Sequence, residues 1–184
     1  AAIKVISEVG FHTCTTDKIA EEAGISVGTI YNYFDNKQDI LSYIFKVEKE
    51  KLEVFFQKLN EKEITTDTKI KLFLEEYFNR IYKNQKKAKL LHDESNCPAQ
   101  GVSKEIFNYI KVTRQYLKDL LESGIKEGTI RKDSDLDMMA SMIIGSANSI
   151  ALLGHLEEKD FEEICRRAPK KLYKMLSEGL VVCK

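Results

Sequence analysis

Apolar positions recur every three to four residues along almost the whole chain, which predicts a succession of amphipathic helices and an all-α fold. Ala1 to Val9 forms the first, with Ala2, Ile3, Ile6 and Val9 inward and Gly10 as its end. It starts without a capping residue, as expected if the natural chain begins earlier. Thr15 or Thr16 caps a second helix, "TDKIAEEA", with Ile19 and Ala23 inward and Asp17 near the positive end of its dipole. Gly24 supplies a left-handed cap, and Ser26 opens a third helix after a tight turn. Two short helices joined by a few residues that include Gly make a helix-turn-helix. Asn36, with Asp39 three residues on, caps a long fourth helix reaching about Leu59 on a stripe of Leu41, Ile44, Phe45, Leu52, Phe55, Phe56 and Leu59.

The polar stretch "NEKEITTDT" then marks a candidate boundary between a small N-terminal unit and the rest. Ile70, Phe73, Leu74, Tyr77, Phe78 and Ile81 stripe the next helix, and "QKKAKLLHDES" predicts a shorter one before the loop "NCPAQG". Ile106, Ile110, Thr113, Leu117, Leu120, Leu121 and Gly124 mark a long helix, followed by the turn "EGTIRKDSD" with Gly128 ending one helix and Ser134 capping the next. No repeat and no low-complexity tract interrupts this order.

Two of these helices lack the charged face that water normally requires. In the third, Val27, Ile30, Tyr31 and Phe34 share one arc, while Gly28, Thr29, Asn32 and Tyr33 share the other. Asn and Thr can hydrogen-bond base edges or phosphate, Gly28 admits a close backbone, and tyrosine hydroxyls suit phosphate oxygens. Lys37 adds a positive charge at a helix start already suited to anions. The same face can also meet water or another helix, because helix-turn-helix shapes occur as plain corners.

The helix from Leu136 to Gly154 is apolar on two sides. Leu136, Met139, Ala140, Ile143, Ile144, Ala147, Ile150 and Ala151 make one; Met138, Met142, Gly145, Ser146, Ser149 and Leu152 make the other. One side fills a core; the second needs either deeper burial or a second copy. The last helix, Phe161 to Leu176, offers Ile164, Cys165, Ala168, Leu172 and Leu176 beneath a basic outer face, and Pro169 should kink or restart it. Together the two helices are expected to supply half of a four-helix homodimer interface, with Ile164 and Leu172 alongside the second side of the apolar helix.

Composition narrows the function. The chain has 184 residues, with 29 basic and 29 acidic side chains and no net charge, so bulk electrostatics selects neither nucleic acid nor membrane. Residues 1 to 50 hold five lysines against eight acidic residues, so any DNA contact must concentrate its positive charge locally. Met138 to Gly154 is too short and too rich in Ser, Asn and Gly for a membrane span. The N-terminal helix carries Lys4 and Glu8, unlike a signal peptide. Cys14, Cys97, Cys165 and Cys183 are scattered, which fits a reducing cytoplasm; His12 and Cys14 alone do not make a metal site, and no cofactor is expected. No catalytic motif is present. The remaining rival is a helical module that binds protein through the third helix.

The stretch "TTDKIAEEAGISVGTIYNYFDNKQDIL", Thr15 to Leu41, resembles the DNA-binding domain of the TetR family of transcriptional regulators. The likeness rests on Thr16, Ile19-Ala20, Ala23-Gly24, Gly28-Thr29, Tyr31, Tyr33-Phe34 and Lys37. It implies a homodimeric repressor with a DNA-binding domain over residues 1–46 and an effector-binding and dimerisation domain over 47–184, the helix from about 37 to 59 connecting them. By position, Ser26, Val27, Gly28, Thr29, Asn32 and Tyr33 would face the major groove of a palindromic operator. Thr16, Tyr31, Tyr33 and Lys37 would hold phosphates, the Tyr31 ring packing while its hydroxyl reaches out. The basic residues that many members carry before or within the first helix are missing here or lie upstream of Ala1. Phe73, Tyr77, Phe107, Tyr109, Ile110 and Thr113 can line a pocket for a small lipophilic effector of unknown identity, or can simply be core; His92 reads as a helix-end residue.

Overall fold

A computed structural model describes residues 1–97, 103–133, 135–156 and 161–180. Ser134, Cys183 and most of the "NCPAQG" loop lie outside the described residues. Among the described residues every regular element is helical: α1 (Ala2–Val9), α2 (Thr16–Ala23), α3 (Val27–Tyr31), α4 (Lys37–Asn60), α5 (Thr66–Lys83), α6 (Gln85–Asn96), α7 (Ser103–Lys126), α8 (Leu136–Leu156) and α9 (Phe161–Leu180). The chain divides by compactness into Ala1–Val54 with Asn84–Val112, and Phe55–Lys83 with Thr113–Lys184. That division falls inside α4 and α7 rather than at the polar stretch, whose loop lies within the second unit.

In the first unit the local signals act as their chemistry dictates. Thr15 Oγ1 accepts the Lys18 N–H, and Gly24 ends α2 at φ 67°, a left-handed conformation that costs other residues. Asn36 Oδ1 accepts the Asp39 N–H while Asp39 Oδ2 accepts the Asp35 N–H, a reciprocal cap at the head of α4. The core joins Val5, Ile6, Phe11, Cys14, Ile19, Ala20, Ile30, Leu41 and Phe45 to Leu90 of α6 and Ile106 of α7. Two expectations change: Ala20 rather than Ala23 turns inward on α2, and on α1 Val5 is buried while Val9 is exposed. α6 packs along α1. Lys89 Nζ donates to Ser7 O, Lys86 pairs with Glu8, and Lys87 pairs with the buried Glu48 of α4. Burial alone would push the Glu48 carboxyl up, but hydrogen bonds from Lys51 and Lys87 outweigh it and leave it below its ordinary value.

The second unit is built on α5, α8 and α9, which pack on one another. Glu127 caps α5 from 61 residues away: its carboxylate accepts both the N–H and the hydroxyl of the buried Thr66, at 3.0 and 2.9 Å. Gly124 is required there, because a Cβ would stand 2.6 Å from Ile130 and 2.9 Å from Thr66. With Ser134 outside the described residues, Asp135 caps α8 by accepting the Met138 N–H. Phe56, Phe73 and Tyr116 form an aromatic cluster in which Phe56 and Tyr116 stack at 3.9 Å. α9 continues through Pro169 without a restart. Proline removes one helical hydrogen bond and crowds the carbonyl four residues back. Burial of Cys165, Ala168, Pro169 and Leu172 on the side facing the core holds the helix through that defect.

Candidate DNA-binding surface and self-association face

The third helix is shorter than its periodicity predicts. It ends at Tyr31, and Asn32 to Phe34 continue as turn, with the N–H groups of Asn32 and Phe34 still reaching Gly28 O and Ile30 O. Ser26 sets its start: Ser26 Oγ accepts the Thr29 N–H at 3.1 Å and meets Thr29 Oγ1 at 2.9 Å. Ile30 faces the core and Gly28, Asn32 and Tyr33 face outward. Tyr33 is 80% exposed, among the most exposed large side chains described. A Cβ on Gly28 would touch only Ser26 Oγ, at 3.7 Å, so the helix itself does not require a glycine there. The absence of a side chain leaves open space above the helix at this position. Thr16 Oγ1 lies 3.2 Å from the Tyr31 hydroxyl, which ties the start of α2 to the end of α3 and leaves both oxygens at the rim.

Two of the residues assigned to DNA also contact the rest of the fold. Val27 is half-buried against the core, so at most its edge is available to a ligand. Lys37 Nζ donates to three backbone carbonyls, Phe11 O, His12 O and Cys14 O, at 2.9, 3.0 and 3.0 Å. An ammonium has three N–H groups, and all three are used. By contrast, Lys18 and Lys46, which the residue pattern had not singled out, are exposed and make no side-chain hydrogen bond or ion pair with any described residue. Lys46 borders an open depression with Tyr33, Ser42 and Tyr43, although Asp35, Asp39 and Glu105 also line it. The signal for Lys18 was its place in the first turn of α2, two residues after Thr16. Burial pushes the Cys14 thiol up from its ordinary value, as suits a core residue.

The predicted effector residues do not assemble within either unit. Phe107, Tyr109 and Ile110 belong to the first, where Phe107 is 67% exposed and Tyr109 packs edge-on against Phe45. Phe73, Tyr77 and Thr113 belong to the second, where Phe73 is core and Tyr77 hydrogen-bonds Asn148. The polar oddity in that unit is Tyr116, whose buried hydroxyl has no hydrogen-bond partner among the described residues; burial pushes it up to about 12. His92 sits near the end of α6 against Asn96.

On α8 the two apolar sides separate cleanly. Met139, Ala140, Ile143 and Ala147 are buried, while Met138, Met142 and Leu152 are 61%, 52% and 40% exposed. Gly145 and Ser149 lie between them on the exposed side and Ser146 at its edge. Of the α9 residues assigned to the same interface, Ile164 is half-buried but Leu172 is core and unavailable. Met175 of α9, 72% exposed, is an apolar side chain that the pattern had not assigned to this face.

Two family descriptions match the chain: "bacterial regulatory proteins, tetR family" over residues 1–44, and "YsiA-like protein, C-terminal region" over 48–179. The fatty acid metabolism regulator protein of Bacillus subtilis is 28% identical over 165 residues, spanning 88% of this chain and 84% of that protein. The crystal structure of the regulator FadR from the same organism, in complex with stearoyl-CoA, superposes with a TM-score of 0.84 at 26% identity over 97% of this chain and 95% of that one. FadR from Bacillus halodurans gives a TM-score of 0.86 at 25% identity, again over 97% and 95%.

Proposed function

The chain belongs to the tetR family of bacterial regulatory proteins and is a transcriptional regulator rather than an enzyme; from that premise we propose that it is a cytoplasmic repressor that binds a palindromic operator as a homodimer and leaves it when a lipophilic effector binds. The observation that carries the DNA reading is the outer face of α3. Gly28, Thr29, Asn32 and Tyr33 make a small, hydrogen-bonding and uncharged face on a helix whose start is held by Ser26. Such a face suits base edges, with Thr16, Tyr31 and Tyr33 as neutral phosphate contacts. Lys37, Lys18 and Lys46 supply the cations in this reading, the last two being exposed. Residues 1–46 are the DNA-binding domain in this reading, and 47–184 bind effector and partner.

The homodimer reading rests on the exposed side of α8, since thioethers and small residues at the surface are costly in water and suited to packing. The effector reading rests on the relatives: the FadR structure holds stearoyl-CoA, so a long-chain acyl thioester is the first candidate. Two α3 helices read successive major grooves only at a spacing of roughly 34 to 36 Å. A ligand with higher affinity for another spacing shifts the population away from DNA. α4, like α7, supplies residues to both compact units, and it is our candidate for the covalent route of that change.

The test is selection from a random duplex pool, followed by titration of stearoyl-CoA into the recovered complex. Enrichment of an inverted repeat that acyl-CoA releases supports the reading. A pool without enrichment contradicts the DNA assignment, and a complex indifferent to acyl-CoA contradicts the effector class.

A further inference from the structure

We propose that the Tyr116 hydroxyl is the hydrogen-bond donor for the acyl carbonyl of the effector, and that it makes the second unit selective for a neutral, carbonyl-bearing lipid such as an acyl thioester. The inference rests on the acyl-effector reading above and deepens it by naming one contact. Tyr116 lies on α7 with 7% of its surface exposed, and its hydroxyl has no hydrogen-bond partner among the described residues. Phe56 of α4 stacks on its ring at 3.9 Å with 4° between the planes, and Phe73 of α5 lies 6.2 Å from Phe56. Tyr77, one turn along α5 and 6.4 Å from Phe73, hydrogen-bonds Asn148 of α8. All five residues belong to the second unit.

A buried phenol normally finds an acceptor, because a bare O–H forfeits the hydrogen bonds it had with water. Tyr77, in the same row of rings, has Asn148; Tyr116 has nothing comparable. That cost is already present in the free fold. A ligand carbonyl arriving at Tyr116 therefore gains a hydrogen bond without further desolvation of the phenol. Burial pushes the hydroxyl up to about 12, so it stays protonated at neutral pH and acts as a donor. No cation among the described residues offsets that burial. A carboxylate drawn to the same place would be a buried charge without a counter-ion. An ester or thioester carbonyl avoids that penalty, and its alkyl chain suits the ring surfaces of Phe56 and Phe73.

The experiment titrates the full chain and its Tyr116→Phe variant by calorimetry with three ligands: stearoyl-CoA, the thioether S-octadecyl-CoA, in which a methylene replaces the carbonyl, and stearate. Wild type should favour the thioester over the thioether by about ten-fold, the worth of one hydrogen bond. Tyr116→Phe should bind the two about equally, because only the thioester loses a partner. The substitution should leave any stearate binding unchanged. A phenol that serves only packing, or that holds a buried water, predicts the same change for thioester and thioether; that result overturns the anchor. Equal binding of thioester and thioether by wild type overturns it too, while leaving the effector reading in place. If Tyr116→Phe weakens stearate as much as stearoyl-CoA, the selectivity for a neutral carbonyl is wrong. If wild type binds neither CoA ligand, the acyl-effector reading itself fails and the anchor falls with it.

Discussion

α3 and α8 each present a side without a single charged residue, yet the two sides differ in every other respect. The α3 side is small and rich in hydroxyl and amide groups: Gly28, Thr29, Asn32 and the phenol of Tyr33. The α8 side carries Met138, Met142 and Leu152 around Gly145 and Ser149. Hydrogen-bonding groups remain satisfied in water and can exchange it for base edges or phosphates, which makes recognition reversible and sequence-dependent. Thioether and aliphatic surface gains from any apolar cover, and a second copy offers the same surface about a twofold axis. Absence of charge marks a surface meant for contact; the chemistry that replaces it names the partner.

The largest expected break of that comparison is Met142→Lys. Met142 is half exposed, so the monomer fold should survive. Paired about a twofold, the new ammonium groups would desolvate near each other, a cost of several kcal/mol. Sedimentation should show self-affinity reduced by about a thousand-fold, equivalent to about 4 kcal/mol. A dimer of unchanged affinity would remove α8 from the interface. On the other face, Tyr33→Ala should lower operator affinity by about ten-fold, the worth of roughly one hydrogen bond. Its unfolding midpoint should not move, because the side chain is 80% exposed and packs on little.

Ser26 separates structure from recognition on α3. Ser26→Ala removes the cap and should cost about 1 kcal/mol in denaturant unfolding. Ser26→Asp restores the cap but sets a carboxylate towards the phosphates, so stability should return while DNA affinity falls. Recovery of both would place Ser26 away from the duplex.

The interior supplies the smaller contrasts. Tyr116→Phe deletes a buried hydroxyl that has no partner among the described residues, so the variant should gain about 1 kcal/mol and melt a few degrees higher. A lower melting temperature would reveal that the hydroxyl is bonded. Glu48, whose carboxyl sits below its ordinary value of 4.5, contributes stability that is fully present above that value and lost as pH falls through the lower folded-state value. Glu48→Gln should flatten the acid side of the stability profile and leave its slope near neutrality unchanged. An identical acid limb in both proteins would contradict the pairing with Lys51 and Lys87.

Legibility in the sequence followed the range of the interaction. Thr15, Gly24, Ser26 and Asn36 act on backbone within four residues, and each reads directly from the chain. The two-sided apolar pattern of α8 was equally plain, because periodicity needs no knowledge of neighbours. Lys37 was legible only in part: its charge at a helix start suggests an anion, while the three carbonyls it reaches in the fold lie 23 to 26 residues earlier, where no local pattern announces them. The Glu127 cap of α5 spans 61 residues and was invisible for the same reason. At Pro169 one of the two expected outcomes, a restart, does not occur, and buried neighbours flank the proline on both sides. Leu172 was assigned to an outer interface because one helix wheel cannot tell which of two apolar neighbours claims a side chain.

The division of labour between the two uncharged faces is tested most directly by comparing wild type and Met142→Lys on the selected inverted repeat and on the same duplex with one half-site scrambled. Wild type should lose at least a hundred-fold in affinity when a half-site is destroyed, because both α3 helices of a pair must engage. Met142→Lys should bind the two duplexes almost equally and weakly, each copy reading a half-site alone. If the variant discriminates between them as sharply as wild type does, the α8 face does not hold the pair together and the account fails.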